Sequence, residues 1–307
     1  MEKLKKIVIL FGGFSEEKEI SLISGKEIEK SLKELGYITK MIDHSISKNY
    51  SELIENIIDF EPFIVFNALH GAEGEDGRIQ ALLDLHKIPY TGSGFRASAI
   101  LMDKFLSSEI VKSMDIPVPD KLLIKDDLLI EKIICSCSFP LVIKPNDSGS
   151  SMGISIVNNE SEVENAVQEA RKFSKDILLE EYIFGRELTV TILNQKALPV
   201  VEIITNSGWY DYINKYTKGK TIYQTPAKLS DKETKQIQQY ALEIFNNFGC
   251  KSYGRIDFRY DSEKFYFLEV NTLPGMTPLS LTPMAAKEAE IDFKELLEII
   301  IQSSLEN

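Results

Sequence analysis

Apolar runs alternate with amphipathic stretches through the first third of the chain. Residues 6–11 form an apolar run, as expected for a strand that is buried on both faces. Two glycines end this run, and further strands are predicted at 38–42 and 63–69 with helical patterns between them. Strand–helix–strand alternation is typical of a parallel sheet with crossover helices. The pattern predicts an α/β unit with a Rossmann-like sheet over residues 1–100.

The pattern then predicts two further units. A second α/β unit over 101–186 has strands on either side of a Gly/Ser loop, followed by a helix and another strand. The third unit, 187–307, has paired strands and a closing helix. Its polar, aromatic stretch at about 206–224 has no periodicity, and loops of this length are usually lids or disordered segments. We therefore expect an α/β protein of three units with a lid.

The composition of the chain disfavours nucleic acids and membranes as partners. The net charge of −12 disfavours a nucleic-acid partner, which requires a basic face. No apolar run approaches the ~20 residues of a membrane span, and the N-terminus lacks the features of a signal peptide. Three cysteines (Cys135, Cys137 and Cys250) form neither a disulfide framework nor a complete zinc site. We expect reduced thiols and a cytoplasmic location, with no membrane partner.

Charged side chains near the C-terminus alternate along two strands that flank a tight turn at 261–264. Arg255 and Asp257 share one strand face, and Glu269 and Asn271 share another. An antiparallel register that pairs Asp257 with Glu269 brings these groups together. Facing carboxylates repel each other unless a cation lies between them, and such oxygens suit Mg²⁺. The alternative is a solvated strand face with an arginine salt bridge, and a one-residue slip in register would separate the groups.

Lys144 ends a predicted strand shortly before the Gly/Ser loop 148–153. Small residues allow backbone N–H groups to approach an anion, and the lysine adds positive charge. The loop therefore suits a phosphate, although it lacks the Walker pattern and an ordinary hairpin turn is an equal alternative.

Three loops carry further candidates. Acids crowd the helix start after Gly13, where most of them favour the helix dipole, but a buried acid there would suit a substrate ammonium group. His70 follows the third strand, where ligands bind in open α/β sheets, although a lone histidine is more often structural. The N–H of Gly275 suits an oxyanion, or belongs to a simple turn.

Together these motifs resemble the D-alanine–D-alanine ligases of the ATP-grasp superfamily across essentially the whole chain. The motifs that carry the resemblance are the glycine–serine–glutamate start at 12–17, the loop 70–77, Tyr90–Gly94, Met102–Lys104, the Lys144 strand and its loop, Lys215–Tyr216, Arg255/Asp257 and the run 269–276. The resemblance implies a three-domain ATP-grasp architecture that grips ATP between the central and C-terminal domains. It also implies that ATP phosphorylates one D-alanine and that the amine of a second D-alanine attacks the acyl phosphate, for peptidoglycan precursor synthesis. A homodimer is implied as well.

The resemblance assigns nucleotide and metal roles residue by residue. The nucleotide set is Lys104 and Lys144 at the phosphates, Ser151 in the phosphate loop, Glu180 and the backbone near Ile183 at the adenine, Glu187 at the ribose and Lys215 near the γ-phosphate. The metal set, for two Mg²⁺ ions with Mn²⁺ as a substitute, is Asp257, Glu269 and Asn271.

The resemblance also assigns substrate and catalytic roles. Glu17 would hold the ammonium group of the first D-alanine, with His70 nearby. Ser280 and Leu281 would hold the carboxylate of the second. Arg255 and the Gly275 N–H would stabilise the oxyanion of the tetrahedral intermediate. The remaining catalytic residues are Ser150 and Tyr216, through which the lid would be tied to Glu17.

Two positions depart from the family pattern, and other functions stay open. Lys18 stands where arginine is usual, and Ile213 occupies a lid position that is often glutamate. Tyr216 favours a dipeptide product over D-alanyl-D-lactate. The alternatives are a related ligase that takes D-serine or D-lactate as its second substrate, a nucleotide-binding protein without turnover, and a two-metal phosphohydrolase. We expect Asp257 to lie on an exposed strand face, where its substitution would cost little stability.

Overall fold

A computed structural model describes residues 5–125, 138–149, 152–205 and 221–306. Its strands form a parallel sheet in the order β2-β1-β3, a four-stranded sheet in the order β4-β7-β5-β6, and a sheet in the order β11-β10-β8-β12-β13 with β9 on the edge of β8. This is the mixed α/β architecture expected from the sequence. The candidate site lies in cavities between the three sheets.

The N-terminal sheet is buried on both faces. Its elements are β1 (Lys6–Phe11), α1 (Lys18–Glu34), β2 (Ile38–Asp43), a 3₁₀ turn (His44–Ile46), α2 (Tyr50–Ile58), β3 (Ile64–Asn67) and α3 (Arg78–Leu85). β1 pairs in parallel with both neighbours. Ile7 and Ile9 pack in one core with α1 and the C-terminal helix, while Val8 and Leu10 pack in another with α2 and α3. The apolar run of β1 therefore serves two cores, as a strand covered on both faces requires.

The central elements form an antiparallel sheet. They are α4 (Phe95–Met102), α5 (Lys104–Lys112), β4 (Lys121–Ile124), β5 (Leu141–Pro145), β6 (Ser155–Val157), a 3₁₀ turn (Glu160–Glu162), α6 (Val163–Arg171) and β7 (Ile177–Glu181). β7 pairs antiparallel with both β4 and β5. α6 covers one face, where Val163 and Val167 meet Ile143 and Leu179. This arrangement leaves the end of β5, with Lys144, beside the loop 148–149.

The C-terminal elements are built around a long antiparallel sheet. They are β8 (Arg186–Leu193), β9 (Lys196–Ala197), β10 (Val201–Thr205), β11 (Thr221–Gln224), α7 (Asp231–Asn247), β12 (Tyr253–Tyr260), β13 (Phe265–Asn271), α8 (Leu281–Glu288) and α9 (Phe293–Leu305). Ile256 and Phe258 pack in one core with Ile237 and Ile244 of α7. The apolar side of β12 is therefore anchored by α7, and the charged side chains lie on the other side of the strand.

The register predicted for β12 and β13 is confirmed. Arg255 pairs with Asn271 and Asp257 pairs with Glu269, and the register shifts by one residue immediately after Asp257. Such a bulge leaves the two functional pairs in register while it changes the twist further along the strands.

Other boundaries differ from the predicted ones. The helix expected at 98–114 is two helices, because Asp103 has extended backbone and caps α5 by accepting the N–H of Leu106. β4 and α8 were not predicted, since each is short and has no clear periodicity. Among the described residues, no helix combines the length and apolar character needed to cross a bilayer.

Gly185 lies in the turn that connects β7 to β8, and its substitution tests how closely this turn packs against Tyr260. Its φ is +130°, and an added Cβ would overlap the main-chain oxygen of Tyr260. Gly36 is a matched control, because its φ is +89° and a Cβ there would meet nothing within 4 Å. We expect Gly185→Ala to lower the free energy of unfolding by about 3 kcal/mol, through strain and overlap, and Gly36→Ala by about 1 kcal/mol, through strain alone. Equal losses in urea unfolding would contradict this account.

Candidate active site between the three sheets

A cavity of about 530 Å³ lies where the N-terminal loops meet the C-terminal strands. Its lining includes the following residues predicted from the sequence: Glu17, His70, Lys104, Arg255, Glu269, Asn271, Gly275, Ser280 and Leu281. These residues come from distant parts of the chain, and the fold brings them to one space. A cavity of this size holds small-molecule ligands in other proteins.

A smaller cavity adjoins the first one between the central and C-terminal sheets. Its lining includes the remaining predicted residues that the structure describes: Lys144, Glu180, Ile183, Glu187 and Asp257. Lys104 and Glu269 line both cavities. The two cavities therefore share one cation and one carboxylate in their walls.

The β12–β13 pair supplies the charged wall between the cavities. Arg255 Nε and Nη2 donate to the two carboxylate oxygens of Asp257 at 2.9 and 2.8 Å. The hydroxyl of Thr189 donates to the same carboxylate at 2.5 Å. Asp257 is only 8% exposed, so the expectation of an exposed strand-face acid was wrong. Its position in the middle of a three-strand ladder, between β8 and β13, explains the burial.

The donor set on this wall fits a divalent cation that also binds phosphate. Asp257 and Glu269 face each other, and Asn271 adds an amide oxygen. Glu269 lies 3.2 Å from the ammonium group of Lys104. The described residues contain no group of three or more His, Cys, Asp or Glu side chains able to hold a metal alone. Mg²⁺ usually takes one or two carboxylates and completes its shell with phosphate oxygens and water, so these residues fit that ion.

Glu180 and Lys144 in the wall of the smaller cavity form a buried cluster of three charges with Lys121 behind them. Glu180 accepts from Lys144 at 2.9 Å through Oε1 and lies 2.9 Å from Lys121 through Oε2. Burial by itself would raise the pKa of Glu180, but the charges of Lys144 and Lys121 outweigh it and lower the pKa. Burial lowers the pKa of Lys121, against the attraction of Glu180. Lys144, predicted at the phosphates, therefore pairs with the predicted adenine-binding residue in this structure.

Arg259 holds the edge of the same cavity. Its Nε donates to the main-chain oxygen of Ile183 at 3.1 Å, and Nη1 lies 3.4 Å from Glu187. The guanidinium also lies 5.5 Å from the ring centroid of Tyr182. Arg259 thus fixes both the backbone and the carboxylate that the resemblance assigns to the nucleoside.

Gly71 and Gly149 leave space for the carboxylate of Glu17, which lines the larger cavity. An added Cβ at Gly149 would lie 2.7 Å from Glu17 Oε2, and one at Gly71 would lie 3.2 Å from it. Glu17 precedes α1, and its neighbour Ser15 donates to the main-chain oxygen of His70 at 2.5 Å. Glu17 is therefore placed by the start of α1 against two glycine loops.

His70 connects the N-terminal loop to the C-terminal segment. Its Nδ1 lies 3.0 Å from the main-chain oxygen of Leu273 and must carry a proton there, because a carbonyl only accepts. Glu75 lies 3.6 Å from the same nitrogen. Burial opposes the charge on His70, but the hydrogen bond and charge of Glu75 raise its pKa overall. Burial, with the charge of Glu17, raises the pKa of Glu75 against the pull of His70.

The segment that follows β13 ends at the start of α8. Ser280 precedes α8, and its Oγ accepts from the N–H of Thr277 at 3.0 Å. An added Cβ at Gly275 would lie 2.8 Å from the same Oγ. Leu281 begins the helix, whose N-terminus carries partial positive charge toward the cavity it lines. Gly275 therefore permits the close approach of the turn to the helix start.

Four predicted residues lie outside the described residues: Ser150, Ser151, Lys215 and Tyr216. Ile213 lies outside them as well.

Several residues at the site were missed by sequence reasoning. Glu75 belongs to the loop 70–77, which the sequence analysis named as a motif. Its position in the acidic pair between Gly74 and Gly77 was the available signal. Arg259 continues the alternation of Arg255 and Asp257 along β12, so the strand period pointed to it. Lys121 opens an unremarkable apolar run, and only the pairing of β4 with β7 places it opposite Glu180.

The buried Arg255–Asp257 pair makes a prediction about stability. We expect Asp257→Asn to lower the free energy of unfolding by about 3 kcal/mol, because the neutral amide leaves a buried guanidinium without its countercharge. Glu263→Gln, in the exposed turn of the same hairpin, is the matched control and should change it by less than about 0.5 kcal/mol. Urea unfolding midpoints measure both, and an Asp257→Asn midpoint equal to that of the control would refute the ion pair.

Family models of ligase domains match most of the chain. The model described as "D-ala D-ala ligase C-terminus" matches residues 110–302, and the one described as "D-ala D-ala ligase N-terminus" matches residues 43–93. The D-alanine–D-alanine ligase of Aquifex aeolicus is 44% identical over 96% of this chain and 99% of its own length. That of Zymomonas mobilis is 40% identical over 99% of this chain and 95% of its own length.

Solved structures agree with this relationship. The D-alanine–D-alanine ligase of Bacillus anthracis in complex with ATP superposes with a TM-score of 0.86 at 32% identity, covering 99% of this chain and 98% of the other. The VanG D-Ala:D-Ser ligase of Enterococcus faecalis superposes with a TM-score of 0.83 at 28% identity, covering 98% and 100%. By full-length sequence identity and by fold, the chain belongs to the D-alanine–D-alanine ligase family of ATP-grasp enzymes.

Proposed function

We propose that the chain joins two D-alanine molecules into D-alanyl-D-alanine at the expense of ATP, through an acyl phosphate, and so supplies a peptidoglycan precursor. The observation that carries this proposal is that the two cavities adjoin and share Lys104 and Glu269 in their walls. One cavity has the groups for a nucleotide, and the other has an acid for an ammonium group and a helix start for a carboxylate. A shared boundary is what a phosphoryl transfer from nucleotide to carboxylate requires.

The nucleotide belongs at the smaller cavity, whose volume of about 60 Å³ is too small to enclose it, so that its phosphates extend across the shared wall toward the larger cavity. Glu180 and the backbone near Ile183 face the adenine, and Glu187 accepts from the ribose. Lys144 and Lys104 reach the phosphates, with Ser151 in the phosphate loop and Lys215 near the γ-phosphate. Lys104 supports this assignment because its ammonium group stands at the boundary between the cavities, 2.7 Å from the main-chain oxygen of Ser148.

Asp257, Glu269 and Asn271 would hold two Mg²⁺ ions, with Mn²⁺ as an alternative, and bound there the ions would supply positive charge to the phosphoryl group. The chain contributes by aligning these oxygens on two paired strands and by keeping Arg255 beside them. Alignment on strands gives more precise positions than loops would.

The first D-alanine lies in the larger cavity with its ammonium group at Glu17 and with His70 nearby. Its carboxylate oxygen attacks the γ-phosphorus, the bond to the β-phosphate oxygen breaks, and ADP leaves. The second D-alanine lies with its carboxylate at Ser280 and Leu281. Its neutral amine attacks the acyl carbon, phosphate leaves with the bridging oxygen, and the departing phosphate takes the proton that the amine loses to complete the amide.

Arg255 and the Gly275 N–H stabilise the oxyanion that forms when the amine attacks. Both line the larger cavity between the proposed sites of the two amino acids. Donors placed in advance at a developing oxyanion act strongly because they need no reorganisation.

The remaining assignments concern regions and assembly. We place an N-terminal substrate-binding domain at 1–100, a central domain at 101–186 and a C-terminal domain at 187–307. Ser150 and Tyr216 tie a lid at about 206–224, whose last four residues form β11, to Glu17, and this lid excludes water from the acyl phosphate. We further propose a cytoplasmic homodimer.

Phosphate release tests the reaction. With Mg·ATP and D-alanine, we expect phosphate and a mass peak of D-alanyl-D-alanine in equal amounts, and no release without D-alanine. The reason is that the carboxylate of the first D-alanine is the phosphoryl acceptor. D-Serine and D-lactate are each added with D-alanine as competing second substrates, since one structural relative is named a D-Ala:D-Ser ligase.

Each of the other outcomes would support one of the alternative functions. Release that does not depend on D-alanine would favour a phosphohydrolase. Nucleotide binding without release would favour a protein that binds without turnover. A mixed product in preference to the D-alanine dipeptide would reassign the second substrate.

A further inference from the structure

Lys121 is a buried cation near the proposed nucleotide site. It contacts the Glu180 carboxylate on the side that faces away from that site. Its side chain is 2% exposed, and its ammonium group lies 2.9 Å from Glu180 Oε2. It is absent from the lining of the smaller cavity and instead lines a separate cavity that Glu180 also borders. Lys121 therefore contacts Glu180 from behind, away from the proposed nucleotide.

A second contact anchors Lys121 to the helix that begins with a phosphate-binding candidate. Its Nζ donates to the hydroxyl of Ser108 at 2.6 Å, and that hydroxyl donates to the main-chain oxygen of Lys104 at 2.7 Å. The pairing of β4 with β7 also places Lys121 directly opposite Glu180. Strand register and helix anchor together hold the ammonium group in one place.

The charges explain why two lysines surround one carboxylate. Lys144 occupies Glu180 Oε1 at 2.9 Å in this structure, yet the proposed function requires Lys144 at the phosphates. If Lys144 were the sole partner, its departure would leave a buried carboxylate without a countercharge, which is strongly unfavourable. A second cation that remains in place removes this obstacle.

We propose that Lys121 is a positioning residue for ATP binding: it keeps Glu180 ionised and oriented toward the adenine while Lys144 exchanges from Glu180 to the phosphates. This inference rests on the proposed function, which assigns Glu180 and Lys144 to the nucleotide. Lys121 itself touches neither the nucleotide nor the amino acids. Its effect reaches ATP through the carboxylate that it holds.

Calorimetric titration with Mg·ADP tests this role. We expect Lys121→Met to weaken binding about tenfold, because the buried carboxylate loses the partner that stays behind, and Lys121→Arg to restore most of the affinity. The KM for D-alanine should stay within about twofold of the wild type, because the amino acid sites are elsewhere. Lys125→Met is the matched control, since this lysine follows the same strand but its side chain is 70% exposed; its affinity should be unchanged.

A double-mutant cycle with Lys144→Met separates exchange from a general structural effect. When Lys144 is absent, no exchange occurs, so the further loss from Lys121→Met should shrink to about twofold. Additive losses would overturn the exchange. If Lys121→Met does not fold, Ser108→Ala carries the test, because it keeps all charges and frees Lys121 from α5; about threefold weaker binding is expected.

The outcomes distinguish this inference from the proposed function. A wild-type chain that binds no Mg·ADP would refute the proposed nucleotide site. A wild-type chain that binds, with unchanged affinity in the folded Lys121→Met or Ser108→Ala variant, would refute the role of Lys121 alone.

Discussion

The pairing of β12 with β13 is the constraint on which the rest of the site depends. One side of β12 is apolar and packs against α7, which fixes the strand in the C-terminal core. The other side presents Arg255 and Asp257 to Asn271 and Glu269, pairs that lie just before the one-residue register shift after Asp257. A shift by one residue would turn the charged groups into the core, so the same apolar packing that stabilises the sheet also specifies the site.

Charge compensation is the second theme of the site. Three cations at the site each have a carboxylate partner in the structure: Lys104 with Glu269, Lys144 with Glu180, and Arg255 with Asp257. Buried charges require such partners. Phosphate groups and metal ions would replace these partners one for one, so the fold keeps a binding site charged without leaving a buried ion alone. Lys121, the second cation at Glu180, extends this logic to a residue that stays behind.

Sequence reasoning succeeded where a local pattern determines position. Apolar runs predicted the strands of the N-terminal sheet, and strand alternation with a short turn predicted the pairing of Asp257 with Glu269. It failed where long-range packing decides. The burial of Asp257 comes from its flanking strands, the pairing of Lys144 with Glu180 from the placement of β7 beside β5, and the break at Asp103 from one capping side chain. The burial of Asp257 and the Lys144–Glu180 pair have no signal within a short window of sequence, whereas the capping Asp103 is a local signal that was overlooked.

The transfer of a carboxylate oxygen to phosphate tests the central claim most directly. D-Alanine labelled with ¹⁸O in its carboxylate would be incubated with Mg·ATP, and the released phosphate would be analysed by mass spectrometry. The account predicts one ¹⁸O atom in each phosphate, because the oxygen that attacked the γ-phosphorus leaves with it. Phosphate without label, formed alongside the dipeptide, would show that the carboxylate is not phosphorylated and would contradict the account.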